Sequence, residues 1–97
     1  MNRQMRYNEV KGIRVNLTTD DNDKVISLED SWEYIKVEEL QDLVRSNIAL
    51  YINDAKEEDY ILFNRSIVFE EIEVKKVRVR LLNGLTDTYN IQLILMR

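Results

Sequence analysis

The chain has 97 residues, 44% of them hydrophobic and 33% charged, with a formal net charge of −4, which fits a single domain over residues 1–97 and leaves no room for a second. It contains no His, no Cys, no Pro and only two Gly, so the Ser-His-Asp triad, the thiol nucleophile, the disulfide framework and the zinc or iron–sulfur site are all excluded. Gly12 and Gly84 stand apart and do not make the clustered glycine loop that brings backbone N–H groups up to a phosphate, so neither a cofactor nor an enzymatic activity is expected.

Residues 1–6 read as a flexible N-terminal arm without the apolar segment of a secretory signal. The longest apolar run, Ile48-Ala49-Leu50-Tyr51-Ile52, is five residues against about 20 for a membrane-spanning helix. A cytoplasmic protein with no membrane partner is the expectation.

Three units then share one pattern, an alternating stretch, a polar connection and a second apolar stretch, which reads as a β-hairpin. The first is Ile13 to Leu17 followed by Val25 to Leu28. Its connection, Asp20-Asp21-Asn22-Asp23, looks like the start of a calcium loop. However, Val25 replaces the loop glycine and Ser31 stands where the bidentate Glu belongs, so it reads as an Asx-rich turn. Trp32 and Tyr34 are expected in the core, with Tyr60, Phe63 and Phe69 further on.

Val37, Leu40, Val44, Ile48, Tyr51, Ile52 and Ala55 fall near helical spacing, and Glu38 and Glu39 suit a first turn. A helix is therefore expected to begin near Val37. Whether residues 48–55 continue it stays open, since Ile48 to Ile52 followed by Asn53-Asp54 also suits a strand and turn. With Tyr60 to Phe63 it makes the second hairpin. The hexads 35–40 and 67–72 trail the first two units and suggest a degenerate duplication with a period of 32–35 residues.

The third hairpin joins Val77 to Leu81 with Tyr89 to Leu95. A three-residue loop, Leu82-Asn83-Gly84, pairs Leu81 with Leu85, Val79 with Asp87 and Val77 with Tyr89. A bulge at Lys75-Lys76 absorbs the shift in apolar phase and sets Val74 opposite Ile91 and Ile72 opposite Leu93. The expected fold is thus β-rich α+β: three antiparallel hairpins in a compact sheet or small barrel, plus one helix.

Charge is segregated along the chain. Residues 1–19 carry a net +3, residues 20–73 carry 16 acidic and 5 basic side chains for −11, and residues 74–97 carry +4. A basic sheet face built from Arg14, Arg78 and Arg80, with Tyr89 and Asn90 beside it, is the candidate site for a small anionic ligand. Trp32 or Tyr89 is the candidate stacking partner for these arginines. Glu57, Glu58 and Asp59 are the candidate acidic surface for a basic protein partner. Nucleic acid is an unfavourable partner for a chain with a pI near 4.8. Leu93-Ile94-Leu95-Met96 is apolar on both faces, so Ile94 and Met96 are the expected contacts of a homo-oligomer.

The leading reading is a small non-enzymatic binding or assembly protein, of bacterial or phage type, acting as a homo-oligomer through sheet surfaces. Two alternatives accompany it. One is a module that sequesters a small anionic ligand such as a nucleotide signal. The other is an acidic mimic that inhibits a basic nucleic-acid-binding protein.

Overall fold

The computed structural model describes residues 7–18, 20–40, 48–63, 65–82 and 88–97. These residues are 75% strand and contain no helix. The strands are β1 (Val10–Thr18), β2 (Asp23–Glu39), β3 (Ile48–Ile52), β4 (Ile61–Leu62), β5 (Ser66–Leu81) and β6 (Thr88–Met96). All pairings are antiparallel, in one open sheet of order β1-β6-β2-β5-β3-β4.

The two longest strands, β2 and β5, organise the rest. Asp23 to Ser27 of β2 pair with Arg80 to Lys76 of β5, and Tyr34 to Glu38 pair with Glu70 to Ser66. Between these stretches the register slips twice, around Trp32↔Val74. Residues 28–31 of β2 face Lys75 at the first slip, and residues 71–73 of β5 face Glu33 at the second. Unequal spans of this kind bend a ribbon and raise its twist. Glu71 takes up the second slip with φ 57°, in the left-handed region.

Each end of the bent ribbon recruits different neighbours. Beside the second half of β2 lie β6 and then β1, with Ile35↔Leu95, Val37↔Leu93 and Val15↔Ile91. Beside the second half of β5 lie β3 and then β4, with Leu50↔Val79 and Leu50↔Ile61. We call these the first and second half-sheets. Ile35, Val37, Leu17, Tyr89, Ile91 and Leu93 from one, and Ile48, Leu50, Val77 and Val79 from the other, are all fully buried in a single cluster. With no helix among the described residues to cover an apolar face, the sheet hides it against another part of itself, and the bend brings the half-sheets together around one core.

Several expectations are corrected. The predicted α+β class gives way to an all-β chain among the described residues. Val37 lies inside β2, where Ile35 and Val37 alternate as buried residues between β5 and β6, so no helix begins there. Residues 41–47 lie outside the described residues. The open question over residues 48–55 resolves to a strand and a turn: Ile48–Ile52 form β3, with Ile48 to Tyr51 buried on both faces. Asn53-Asp54 then turns the chain.

Of the three predicted hairpins only β3–β4 exists. β1 and β2 are separated by β6, and β5 and β6 by β2. The predicted register of the third hairpin is therefore replaced: Leu81 faces Ile48, Val79 faces Leu50 and Lys24, and Tyr89 faces Leu17. The turn at Asn83-Gly84 and the arm at residues 1–6 lie outside the described residues. The phase shift at Lys75-Lys76 does occur, since burial passes from Val74 to Val77, Val79 and Leu81, but its partner is β2. The two hexads of the suspected repeat turn out to be paired with each other, Ile35↔Phe69 and Val37↔Ile67.

Candidate functional site

The outward face of the second half-sheet carries Arg78 and Arg80 on β5, Asp23 and Val25 on β2 and Tyr51 on β3. Outward side chains are normally wet, yet Tyr51 is 1% exposed, because the connection between β3 and β4 folds back over it. The Tyr51 hydroxyl donates to the Glu57 carbonyl at 3.0 Å, and its ring packs against Tyr60 at 6.3 Å.

Glu57 completes an ionic latch between this connection and the sheet. Arg78 Nε and Nη2 donate to the two oxygens of Asp23 at 2.9 and 2.6 Å, and Nη1 donates to Glu57 Oε2 at 2.6 Å. Arg80 Nη1 reaches Glu57 Oε1 at 2.6 Å. Both guanidiniums lie over the Tyr51 ring, at 4.7 and 5.9 Å from its centroid, an attraction to the ring's negative face. Hydrogen bonds from Arg78 hold the Asp23 and Glu57 carboxyls below the usual carboxylate range. The same bonds, from Asp23 first, push Arg78 up. A cavity of about 600 Å³ opens beside the latch, lined by Asp23, Tyr51, Asn53, Lys76 and Arg78 among others.

The structure divides the predicted ligand residues. Arg78 and Arg80 are together, but two carboxylates already occupy them. Arg14 lies on the outward face of the first half-sheet, where it lines a cavity of about 370 Å³ with Asn16, Leu40 and Asn90. Tyr89 points the other way and is fully buried in the core. The aromatic partner of Arg78 and Arg80 is Tyr51, which sequence reasoning missed. Its signal was the two-faced apolar run 48–52, which means that both faces are covered. Trp32 stacks instead under Arg97, 4.4 Å from its ring centroid.

Of the predicted acidic surface, Glu57 is engaged in the latch, while Glu58 and Asp59 are exposed beside it. A denser acidic surface forms at the bend. There the register slips set Glu33 of β2 across from Glu71 and Glu73 of β5, while Glu29 and Asp30 lie in the stretch of β2 that faces Lys75 and Glu70 lies opposite Tyr34; all six are exposed. Lys75 and Arg97 stand at the margin, paired with Glu73 at 3.1 Å and Asp30 at 3.3 Å. A cavity of about 370 Å³ opens among them, lined by Ser31, Trp32, Glu33, Glu71, Ile72 and Glu73. Two acidic stretches some forty residues apart in sequence become one surface only through the β2–β5 register.

Among the described residues no group of three or more carboxylates is placed to hold a metal ion, and no helix is long and apolar enough to cross a membrane. Ile94 and Met96 lie half-buried on the outward face of β6, an interior strand with β1 on one side and β2 on the other.

No protein-family model matches the chain, and no curated protein matches it in sequence. Among solved structures it is similar to the Drosophila NLP core, with a TM-score of 0.51 and 16% identity, over 92% of this chain and 98% of that one. That protein's crystal structure is described for its insight into pentamer formation and histone binding. At this level of identity the likeness shows a shared fold.

Proposed function

We propose that this chain is a small non-enzymatic binding protein that works as a homo-oligomer and engages a basic protein partner through the carboxylates at the bend. The observation that carries this reading is the convergence of Glu33, Glu71 and Glu73 around the Trp32 cavity, with Glu29, Asp30 and Glu70 exposed on the adjoining stretches of β2 and β5. Clustered like charge over a low-dielectric wall focuses field and favours an oppositely charged partner. The fold shared with a histone-binding, pentamer-forming protein supports the same direction. The small-anion reading is less favoured, because an anion at Arg78 has to displace both Asp23 and Glu57.

The probe is a lysine- and arginine-rich peptide titrated into the intact protein by calorimetry. We expect binding that weakens steeply as salt rises from 50 to 500 mM, since exposed charges are screened within a Debye length of about 10 Å or less. Glu33→Gln with Glu71→Gln and Glu73→Gln should reduce affinity tenfold or more, while Glu58→Gln with Asp59→Asn should change it far less. Equal losses from both sets, or no binding at 50 mM salt, overturn the reading.

A further inference from the structure

The bend already holds one guanidinium, that of Arg97. It lies over the Trp32 ring, 4.4 Å from the centroid. Nε and Nη2 each donate to Glu9 Oε2 at 3.2 Å, and Nη1 is 3.3 Å from Asp30 Oδ2. An aromatic face with two carboxylates beside it is a complete site for an arginine side chain, because the ring attracts the cation and matches its plane while the carboxylates take its N–H groups.

The Arg97 side chain can leave this site while its main chain stays in place. The Arg97 N–H donates to the Glu9 carbonyl at 3.1 Å, and the Arg97 carbonyl accepts from the N–H groups of Asn8 and Glu9 at 2.9 and 2.8 Å. None of these bonds depends on the guanidinium. The side chain's own bonds are long: at 3.2 to 3.3 Å they exceed the roughly 2.7–2.9 Å usual between a guanidinium and a carboxylate. Arg78 in the latch, by contrast, reaches its carboxylates at 2.6 to 2.9 Å. The Glu9 and Asp30 side chains are 55% and 69% exposed, and ion pairs this open to water are weak.

Trp32 also lines the acidic cavity, together with Ile72, Glu33, Glu71 and Glu73. An arginine arriving from a partner therefore meets an apolar wall for its stem and carboxylates for its head. With Arg97 over the ring, Trp32 is only 6% exposed, so a second guanidinium reaches the ring only when Arg97 turns away.

We infer that Arg97 is an internal competitor for the partner site, and that an arginine of the basic partner replaces it on Trp32, with Asp30 and the cavity carboxylates as acceptors. A site that its own chain occupies for part of the time binds a partner more weakly by that fraction. Lysine, with a compact and strongly hydrated ammonium and no plane to stack, is the poorer replacement. The inference rests on the basic-partner reading above and adds the side chain that reads the partner.

The test titrates two peptides of equal length and charge, one arginine-rich and one lysine-rich, into the intact protein by calorimetry at 50 mM salt. Emission from Trp32, the single tryptophan, is read in parallel. The arginine peptide should bind about fivefold more tightly than the lysine peptide, or better, and should change Trp32 emission where the lysine peptide does not. Arg97→Gln should tighten binding of the arginine peptide by about fivefold or more, because it removes the competitor. Arg97→Lys keeps the charge and loses the plane, so a gain there separates release of the ring from added negative charge, and it keeps the test decisive if the glutamine variant misfolds. Binding of neither peptide overturns the basic-partner reading itself. Binding of both with equal affinity, or an arginine-peptide affinity unchanged in both Arg97 variants, overturns only the roles assigned here to Arg97 and Trp32.

Discussion

Asn53 shows how much a single side chain can hold. It turns the chain out of β3 at φ 59°, a conformation that Asn tolerates better than most residues because its short amide bonds locally. Its Oδ1 accepts the N–H groups of Lys75 at 2.8 Å and Lys76 at 3.3 Å, and its Nδ2 donates to the Glu73 carbonyl at 2.7 Å. These are backbone groups at the slip in the β2–β5 ladder, where regular partners run out. Asn53→Ala removes all three bonds and leaves a Cβ at positive φ, so urea unfolding should show a loss of about 2–3 kcal/mol. Asn53→Gly keeps the conformation and should lose less. The Asn-Asp pair was legible as a turn, but its bonds to a strand twenty residues later were not.

Arg78 carries the second prediction at this scale. Asp23 and Glu57 are held below their ordinary pKa by its hydrogen bonds. A carboxylate whose pKa is depressed on folding contributes stability that is present above its unfolded value and lost as pH falls through its folded value. The destabilisation caused by Arg78→Met should therefore be larger at pH 7 than at pH 3, as read from urea midpoints. An equal effect at both pH values shows that Arg78 acts through its packing on Tyr51 rather than through charge.

At the scale of elements, position in the sheet decides what an apolar residue is worth. Leu93 lies in the middle of β6, fully buried, with Ile13 on one side and Val37 on the other. Leu62 lies in the two-residue margin strand β4 and is 54% exposed. Leu93→Ala should cost about 2–5 kcal/mol by removing buried methyl groups and leaving a cavity, and Leu62→Ala should stay within about 0.5 kcal/mol. Alternation identified β1 and the second half of β5, because a period of two is a local consequence of the pleat, but it missed the end of β2 beyond Val37 and left β3 open. The same period says which face is buried and nothing about which strand lies alongside. The strong turn signal at Asn83-Gly84 thus led to a β5–β6 hairpin that the fold does not use.

For the whole molecule, the pairing of β1 with β6 joins residues 10–18 to residues 88–96, so the sheet is complete only when both ends of the chain have arrived. Such non-local order makes folding slow, in the range of milliseconds to seconds for all-β domains. Trp32, the single tryptophan and 6% exposed, should report it in stopped-flow fluorescence. Microsecond refolding would contradict the topology. The same long-range pairing gathers the charge: the acidic bend draws on residues 29–33 and 70–73, and the predicted basic patch is split between the two half-sheets.

The sequence by itself determined that strands predominate, the chemistries excluded by missing His and Cys, the segregation of charge into basic ends and an acidic middle, and the phase shift at Lys75-Lys76. Each of these is a property of composition or of neighbours a few residues apart. Only the tertiary structure decided that Arg78 and Arg80 are neutralised by Asp23 and Glu57, that Tyr89 is core while Tyr51 lies under the arginines, and that Glu33, Glu71 and Glu73 meet around Trp32. Those outcomes depend on how two long strands slip past each other at a bulge, and slippage is set by the closing of the whole core rather than by any local run of residues.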